Sequence, residues 1–130
     1  MIVDSSALIA IFLKEPEGRL LDVAIVEEPD CRMSTANFLE TSIVLMARKG
    51  QDGTRGLDLL IARMGIRLVP FTESQARLAR TAFERFGKGR HRAGLNFGDC
   101  IAYALAKETG EALLFKGVDF AQTDITAAPY

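Results

Sequence analysis

The chain has 130 residues, with no tryptophan, one histidine, two cysteines and four prolines. Cys31 and Cys100 are too few and too far apart for a zinc cage or a disulfide framework, and both read as reduced, buried thiols. Nothing near His91 supplies a nucleophile for it to activate, so it reads as a surface or phosphate-contacting residue rather than a general base. No apolar run approaches the roughly 18 residues of a membrane span. The N-terminus also lacks the basic start and cleavage site of a signal peptide, so a cytoplasmic protein with no membrane partner is expected. A net charge of −1 gives no global pull toward nucleic acid, and any such affinity must come from a local patch. No repeat, linker or low-complexity tract divides the sequence. Its length suits one domain, residues 1–130, burying about two thirds of its unfolded surface.

What the sequence does have is an alternation of short apolar runs and amphipathic stretches. Ile2-Val3 reads as a buried strand ending at Asp4, followed by a serine-capped helix from Ala7. A second helix is predicted over Arg19–Val26, and a short strand over Cys31–Ser34. Thr35–Lys49 reads as a helix ended by Gly50, with Ala36, Leu39, Ile43, Val44, Met46 and Ala47 in one arc taken as the core side. Phe38 and Leu45 fall opposite, as candidates for a partner surface or a second core contact. Gln51–Thr54 reads as a turn, and Leu57, Leu60, Ile61 and Met64 then mark an amphipathic helix. Ile66–Phe71 reads as a strand, and Thr72-Glu-Ser-Gln75 has the form of a capping box opening a helix with Ala76, Ala79, Phe83 and Phe86 on one side. The stretch Cys100–Ala106 is apolar all round and so predicts a buried helix. Ala112–Phe115 reads as a strand, with a final short one at Thr123–Ile125. Such an order points to a three-layer α/β/α sandwich around a mostly parallel sheet of four or five strands.

Four acids stand out by position. Asp4 and Asp119 follow the carboxyl ends of predicted strands, where open α/β sheets place their ligand crevice. Asp99 sits in the first turn of a helix, and Glu40 lies on a face assigned to the core, where a lone carboxylate is costly unless it is paired, protonated or bound to a cation. Four ionised carboxylates roughly 5 Å apart would repel by about 3 kcal/mol per pair at an effective dielectric of about 20. They persist together only with a hard cation or with protons held at high pKa. Oxygen ligands favour Mg²⁺ or Mn²⁺. Arg77, Arg80, Arg85, Lys88, Arg90 and Arg92 form a basic stretch opposed by Glu84 alone, and Gly87–Gly94 reads as a flexible loop with exposed backbone suited to phosphate contacts. A solvated helix face and a mobile loop would account for the same letters. A metal in a carboxylate cleft beside a basic patch suits phosphodiester hydrolysis.

Val-Asp-Ser-Ser-Ala-Leu at the start, Phe-Leu-Glu40-Thr-Ser, Asn96-Phe-Gly-Asp-Cys-Ile-Ala and Leu-Leu-Phe-Lys-Gly-Val-Asp-Phe together resemble PIN-domain ribonucleases of the VapC toxin type, over nearly the whole chain. The resemblance implies a PIN-like fold and an Mg²⁺-dependent endoribonuclease that cuts single-stranded or loop RNA, with tRNA or rRNA as the substrates. It makes Asp4 and Asp99 the principal metal ligands, Glu40 a third acid and Asp119 a fourth, with Ser6 and Asn96 as supporting polar groups. It also implies a homodimer and a VapB-like antitoxin partner. Many PIN domains carry Thr-x-Asp after the last core strand, and here Phe115-Lys-Gly117 stands in its place. Asp119 is therefore preferred as fourth acid, with Asp124 in reserve. Lys88, Arg90 and Arg92 are the candidate RNA contacts. Two other readings stay open: a phosphatase-like domain using Asp4 as nucleophile, and a catalytically silent RNA- or protein-binding module.

Overall fold

Ile2 and Val3 form β1 (Ile2–Val3), the strand on which the layers are hung. Both are fully buried. Successive strand residues point to opposite faces, so Ile2 enters one apolar cluster and Val3 the other. The computed structural model describes residues 1–130 and gives a parallel four-stranded sheet in the order β3-β2-β1-β4. Its other strands are β2 (Arg32–Ser34), β3 (Arg67–Val69) and β4 (Leu113–Leu114). Ile2 pairs with Arg32 on one side and Leu113 on the other.

Helices cover both faces, as an all-parallel sheet requires. The helices α1 (Ser5–Phe12), α2 (Gly18–Glu27) and α3 (Thr35–Met64) supply Leu8, Leu21, Ile25, Leu45 and Leu57 to the cluster around Val3. Across the sheet, α4 (Glu73–Phe86) and α5 (Phe97–Thr109) supply Ala79, Ala82, Phe86, Ala102 and Leu105 to the cluster around Ile2. From Cys100 to Ala106 every residue of α5 is buried, as its all-round apolar character predicts.

Several elements differ from the sequence expectation. Gly50 adopts φ 59°, ψ −144°, a conformation open to glycine. It breaks the α3 span into two helical pieces, so the first piece ends at Gly50 as expected, while Gln51–Thr54 opens the second piece rather than forming a turn. The two sides of α3 are reversed. Asn37, Thr41 and Leu45 face the interior and Phe38 packs against the core, whereas Leu39, Ile43 and Met46 are 58, 57 and 55% exposed. Polar side chains on the buried face disguised it. In α4, Gln75 and Ala82 are buried while Ala76 and Phe83 are exposed. Thr72 accepts from the Gln75 amide, but the Gln75 side chain donates to Glu108 instead of closing the capping box. Thr123–Ile125 forms no strand. The chain instead meets β4 at Ala127, with the Ala128 amide donating to Leu113 O.

Candidate active site

Asp4 is set at the carboxyl end of β1 by two backbone bonds, its amide donating to Leu114 O and its carbonyl accepting from Ala7 N. Its Oδ2 caps α1, accepting from the Ser6 amide at 2.9 Å and the Ser6 hydroxyl at 2.6 Å. That hydroxyl in turn accepts from the Lys116 amide at 3.0 Å, which ties the end of β4 to the cap. Asp4 is only 3% exposed, and its Oδ1 has no hydrogen-bond partner. Burial pushes its carboxyl up to about 7; the Ser6 bonds oppose the rise, and the neighbouring charges of Asp99 and Glu40 add to it.

Asp99 lies in the first turn of α5, whose N-cap is Asn96. The Asn96 side chain accepts from Asp99 N and the Asp99 carboxylate accepts from Asn96 N, each at 2.9 Å, forming a reciprocal capping box. Burial raises the Asp99 carboxyl to about 6. The Asn96 amide opposes this, and Asp119 and Glu40 push it further up. Glu40 reaches across from α3. Its Oε1 accepts from Ser5 Oγ at 2.5 Å and from Asn37 Nδ2 at 3.4 Å. A Cβ on Gly98 would lie 1.8 Å from Glu40 Oε2, so the carboxylate rests directly on the first turn of α5, beside Asp99.

Asp4, Glu40 and Asp99 thus form one electrostatic neighbourhood drawn from β1, α3 and α5. Asp119, exposed at the start of a 3-10 turn, borders it through Asp99. No three His, Cys, Asp or Glu side chains lie close enough to form a closed metal cage. The unpartnered Asp4 Oδ1 and an oxygen-only donor set nonetheless fit a hard cation that keeps part of its water shell. Asp124 belongs elsewhere: it accepts from Tyr103 Oη at 2.8 Å and Lys107 Nζ at 2.9 Å, with Arg85 at 3.6 Å. These bonds tie it to Tyr103 and Lys107 of α5 and to Arg85 of α4.

The sequence reading missed Asn37 and Ser5. Asn37 is 1% exposed, and its Nδ2 donates to Gly98 O at 3.0 Å, bolting α3 to α5 beneath Glu40. Ser5 Oγ lies within reach of both Glu40 and Asn37 O. The only hint was polar spacing: Asn37 and Thr41 stand four apart on the side that also carries Leu45. The basic loop is more ordered than expected. Its Lys88 amide donates to Leu95 O, Arg90 and His91 to Gly87 O, and Gly94 to His91 O. The Ala93 amide donates to His91 Nδ1, and the His91 ring meets Phe86 edge-on, so this histidine is a structural brace. The side chains of Lys88, Arg90 and Arg92 remain exposed, but most of the loop amides are engaged within the chain, those of Gly89 and Arg92 excepted. No helix is long and apolar enough to cross a membrane.

The sequence matches the PIN domain family over residues 1–125. It is 52% identical over 127 residues to a protein of Mycolicibacterium smegmatis named ribonuclease VapC, covering 98% of each chain. Among solved structures, it is similar to Mycobacterium tuberculosis VapC20, described as a sarcin–ricin-loop-cleaving toxin, with a TM-score of 0.79 at 16% identity over 99% of this chain and 98% of that one. A toxin–antitoxin complex from Klebsiella pneumoniae superposes with a TM-score of 0.72 at 18% identity over 99% and 97%. An acid cluster at the carboxyl edge of a parallel sheet and half-identical sequence over nearly the full length agree: the chain belongs to the VapC ribonucleases of the PIN domain family, toxins of toxin–antitoxin systems.

Proposed function

We propose that the protein is a divalent-metal-dependent endoribonuclease that hydrolyses phosphodiester bonds in single-stranded or loop RNA, such as the loops of tRNA or rRNA. One observation carries the reading. Carboxylates from β1, α3 and α5 are gathered at one edge, two of them with pKa values raised to about 7 and about 6. Burial and mutual repulsion make this arrangement costly without a cation. Asp4 and Asp99 would hold Mg²⁺ or Mn²⁺. When bound, such an ion stabilises the charge that builds on the phosphoryl group and favours ionisation of the attacking water. Ser6 fixes the Asp4 carboxylate so that one oxygen stays unengaged, and Asn96 fixes Asp99 in the same way. Ser5 and Asn37 hold Glu40 against α5. Lys88, Arg90 and Arg92, with exposed side chains that make no ion pair, would hold the RNA backbone.

Two protein partners belong to the same reading. The exposed stripe of Leu39, Ile43 and Met46 on α3 is an aliphatic face for a homodimer. The Klebsiella neighbour was solved as a toxin–antitoxin complex, and a VapB-like antitoxin is the expected inhibitor of this chain. A cytoplasmic site of action follows from the RNA substrate. Purified protein incubated with total cellular RNA should generate discrete new ends in Mg²⁺ and none in EDTA. The Asp4→Asn and Asp99→Asn variants should cut at least a hundredfold more slowly, about the loss that follows removal of one major electrostatic contributor. Cutting at the parent rate by either variant refutes the assignment.

A further inference from the structure

Phe97, the first residue of α5, is 82% exposed, the highest value among the large apolar side chains. It forms one wall of a groove of about 450 Å³ between α4 and α5, with Phe71, Phe83, Ala79 and Ile101, and Arg80 is the one charged residue lining it. That volume lies within the range, about 300–1,000 Å³, of sites that receive small ligands. The groove ends at Phe97 in the first turn of α5, the turn that also carries Asp99, although none of the four acids lines it.

Its chemistry is mixed in a specific way. The floor is apolar and aromatic, its one cation is Arg80, and Arg90 lies beside it against the Phe83 ring. Arg90, in the loop after α4, lies 5.8 Å from the centroid of the Phe83 ring, and neither it nor Arg80 makes an ion pair, although Arg77 and Arg85 on the helix of Arg80 do. The Phe83 ring is seated over Gly87, where a Cβ would lie 2.5 Å from Cδ2. Aromatic planes fringed by free guanidinium groups suit a chain of planar bases on an anionic backbone.

We propose that the α4/α5 groove is a nucleobase subsite: an unpaired base next to the scissile phosphate stacks on Phe97, while Arg80 and Arg90 hold the flanking phosphates. The proposal rests on the nuclease reading and adds to it a requirement for an unstacked base beside the cleavage point. A base held in a duplex could not enter, so the groove confers preference for loops and single strands.

The test uses full-length protein carrying Asp4→Asn, in EDTA, and a fluorescein-labelled single-stranded RNA oligonucleotide of mixed sequence. Adding Phe97→Ala should weaken binding about tenfold, the loss expected for one stacked base, and Phe97→Trp should restore it. Replacing the bases one at a time by abasic sugars should reveal a position where the Phe97 protein loses a similar factor and the Phe97→Ala protein loses nothing. Arg80→Ala should lower the slope of log affinity against log salt by about one phosphate contact. Phe97 is exposed, so these variants leave the fold intact, and sedimentation should show unchanged mass. Equal affinity of the Phe97→Ala protein, or an abasic series with no such position, overturns the subsite. A loss of affinity that tracks a fall from dimer to monomer also overturns it and assigns the groove to a second copy of the chain. Failure of the nuclease reading is separately visible, as Asp4→Asn protein that cuts RNA at the parent rate in Mg²⁺.

Discussion

Removing the charge from Asp4 should stabilise the metal-free protein at neutral and alkaline pH and destabilise it in acid. Burial raises the Asp4 carboxyl from 3.8 to about 7. The folded state therefore holds a proton that the unfolded chain has already released over the range between those values, and unfolding releases it. Stability contributed by this group is full below about pH 4 and is lost as the pH climbs through about 7. A shift of about three units corresponds to about 4 kcal/mol at most. In Asp4→Asn the amide oxygen keeps the Ser6 bonds, but an N–H group replaces the unpartnered Oδ1 and has no acceptor. That orphan donor costs about 1–3 kcal/mol at every pH. The net expectation is a gain of about 1–3 kcal/mol above pH 7, a few degrees in Tm, and a loss of similar size below about pH 5. Asp99 shifts in the same direction and is present in both proteins, so most of its contribution cancels in the difference. Urea unfolding of parent and variant in EDTA across this range should give stability curves that cross. A difference that does not vary with pH would show that the folded protein does not hold the Asp4 proton, and the electrostatic account of the site would fail with it.

Three further outcomes follow from the geometry. Mg²⁺ or Mn²⁺ should raise the Tm of the parent in proportion to the logarithm of metal concentration above about pH 7 and leave Asp4→Asn nearly unmoved, since binding to the folded state alone stabilises it. Gly98→Ala should cut RNA cleavage sharply while costing about 1–3 kcal/mol of stability, because its Cβ would displace the Glu40 carboxylate from Asp99; unchanged cleavage would show that Glu40 has no need to rest there. Asp119→Asn should slow cleavage, whereas Asp124→Asn should leave the rate unaltered and cost under about 1 kcal/mol, as a partly exposed ion pair does. The opposite ranking in a cleavage assay would restore Asp124 as the fourth acid.

The parts of the site visible in the sequence were those set by short-range rules. Asp4 follows a β-branched pair and precedes a serine cap, and Asp99 stands three residues after an Asn that opens an apolar helix; each signal needs only neighbours in the chain. The orientation of α3 was not visible. Periodicity gives arcs but not which arc meets the core, and apolar residues occupy both sides of this helix. The larger stripe, Leu39, Ile43 and Met46, faces out, while Asn37 and Thr41 lie inside, where Asn37 Nδ2 donates to Gly98 O and the Thr41 hydroxyl to Asn37 O. Glu40 stood out in the sequence as a carboxylate on an apolar arc, and although that arc faces out, Glu40 sits at its border with the buried side, bonded to Ser5 and Asn37. Gly98 carried a signal that was not used: a glycine in the first turn of a helix lacks a propensity reason and marks a close approach. The order of the loop amides was hidden for a different cause, since Gly-rich basic sequences look alike whether or not their backbone bonds close internally.

The placement of the acids follows from the strand order. With β1 central between β2 and β4, the ends of all three strands open on one edge, and the segments leaving that edge begin with Asp4, with α3, and with the chain leading to Asp119. α5 crosses the opposite face, and its N-terminus reaches the same edge because Asn37 donates to Gly98 O. Packing of the apolar clusters alone would be satisfied by neutral side chains at positions 4 and 40, and at Asp4 such a residue would avoid a buried, half-bonded carboxylate. Natural chains keep an arrangement of this kind where the group works on something outside the fold. The supporting bonds point the same way: Ser6 engages one Asp4 oxygen twice and leaves the other without a partner, which holds the carboxylate still without neutralising it. A capping residue needs only the first half of that arrangement; the second half is what a ligand requires.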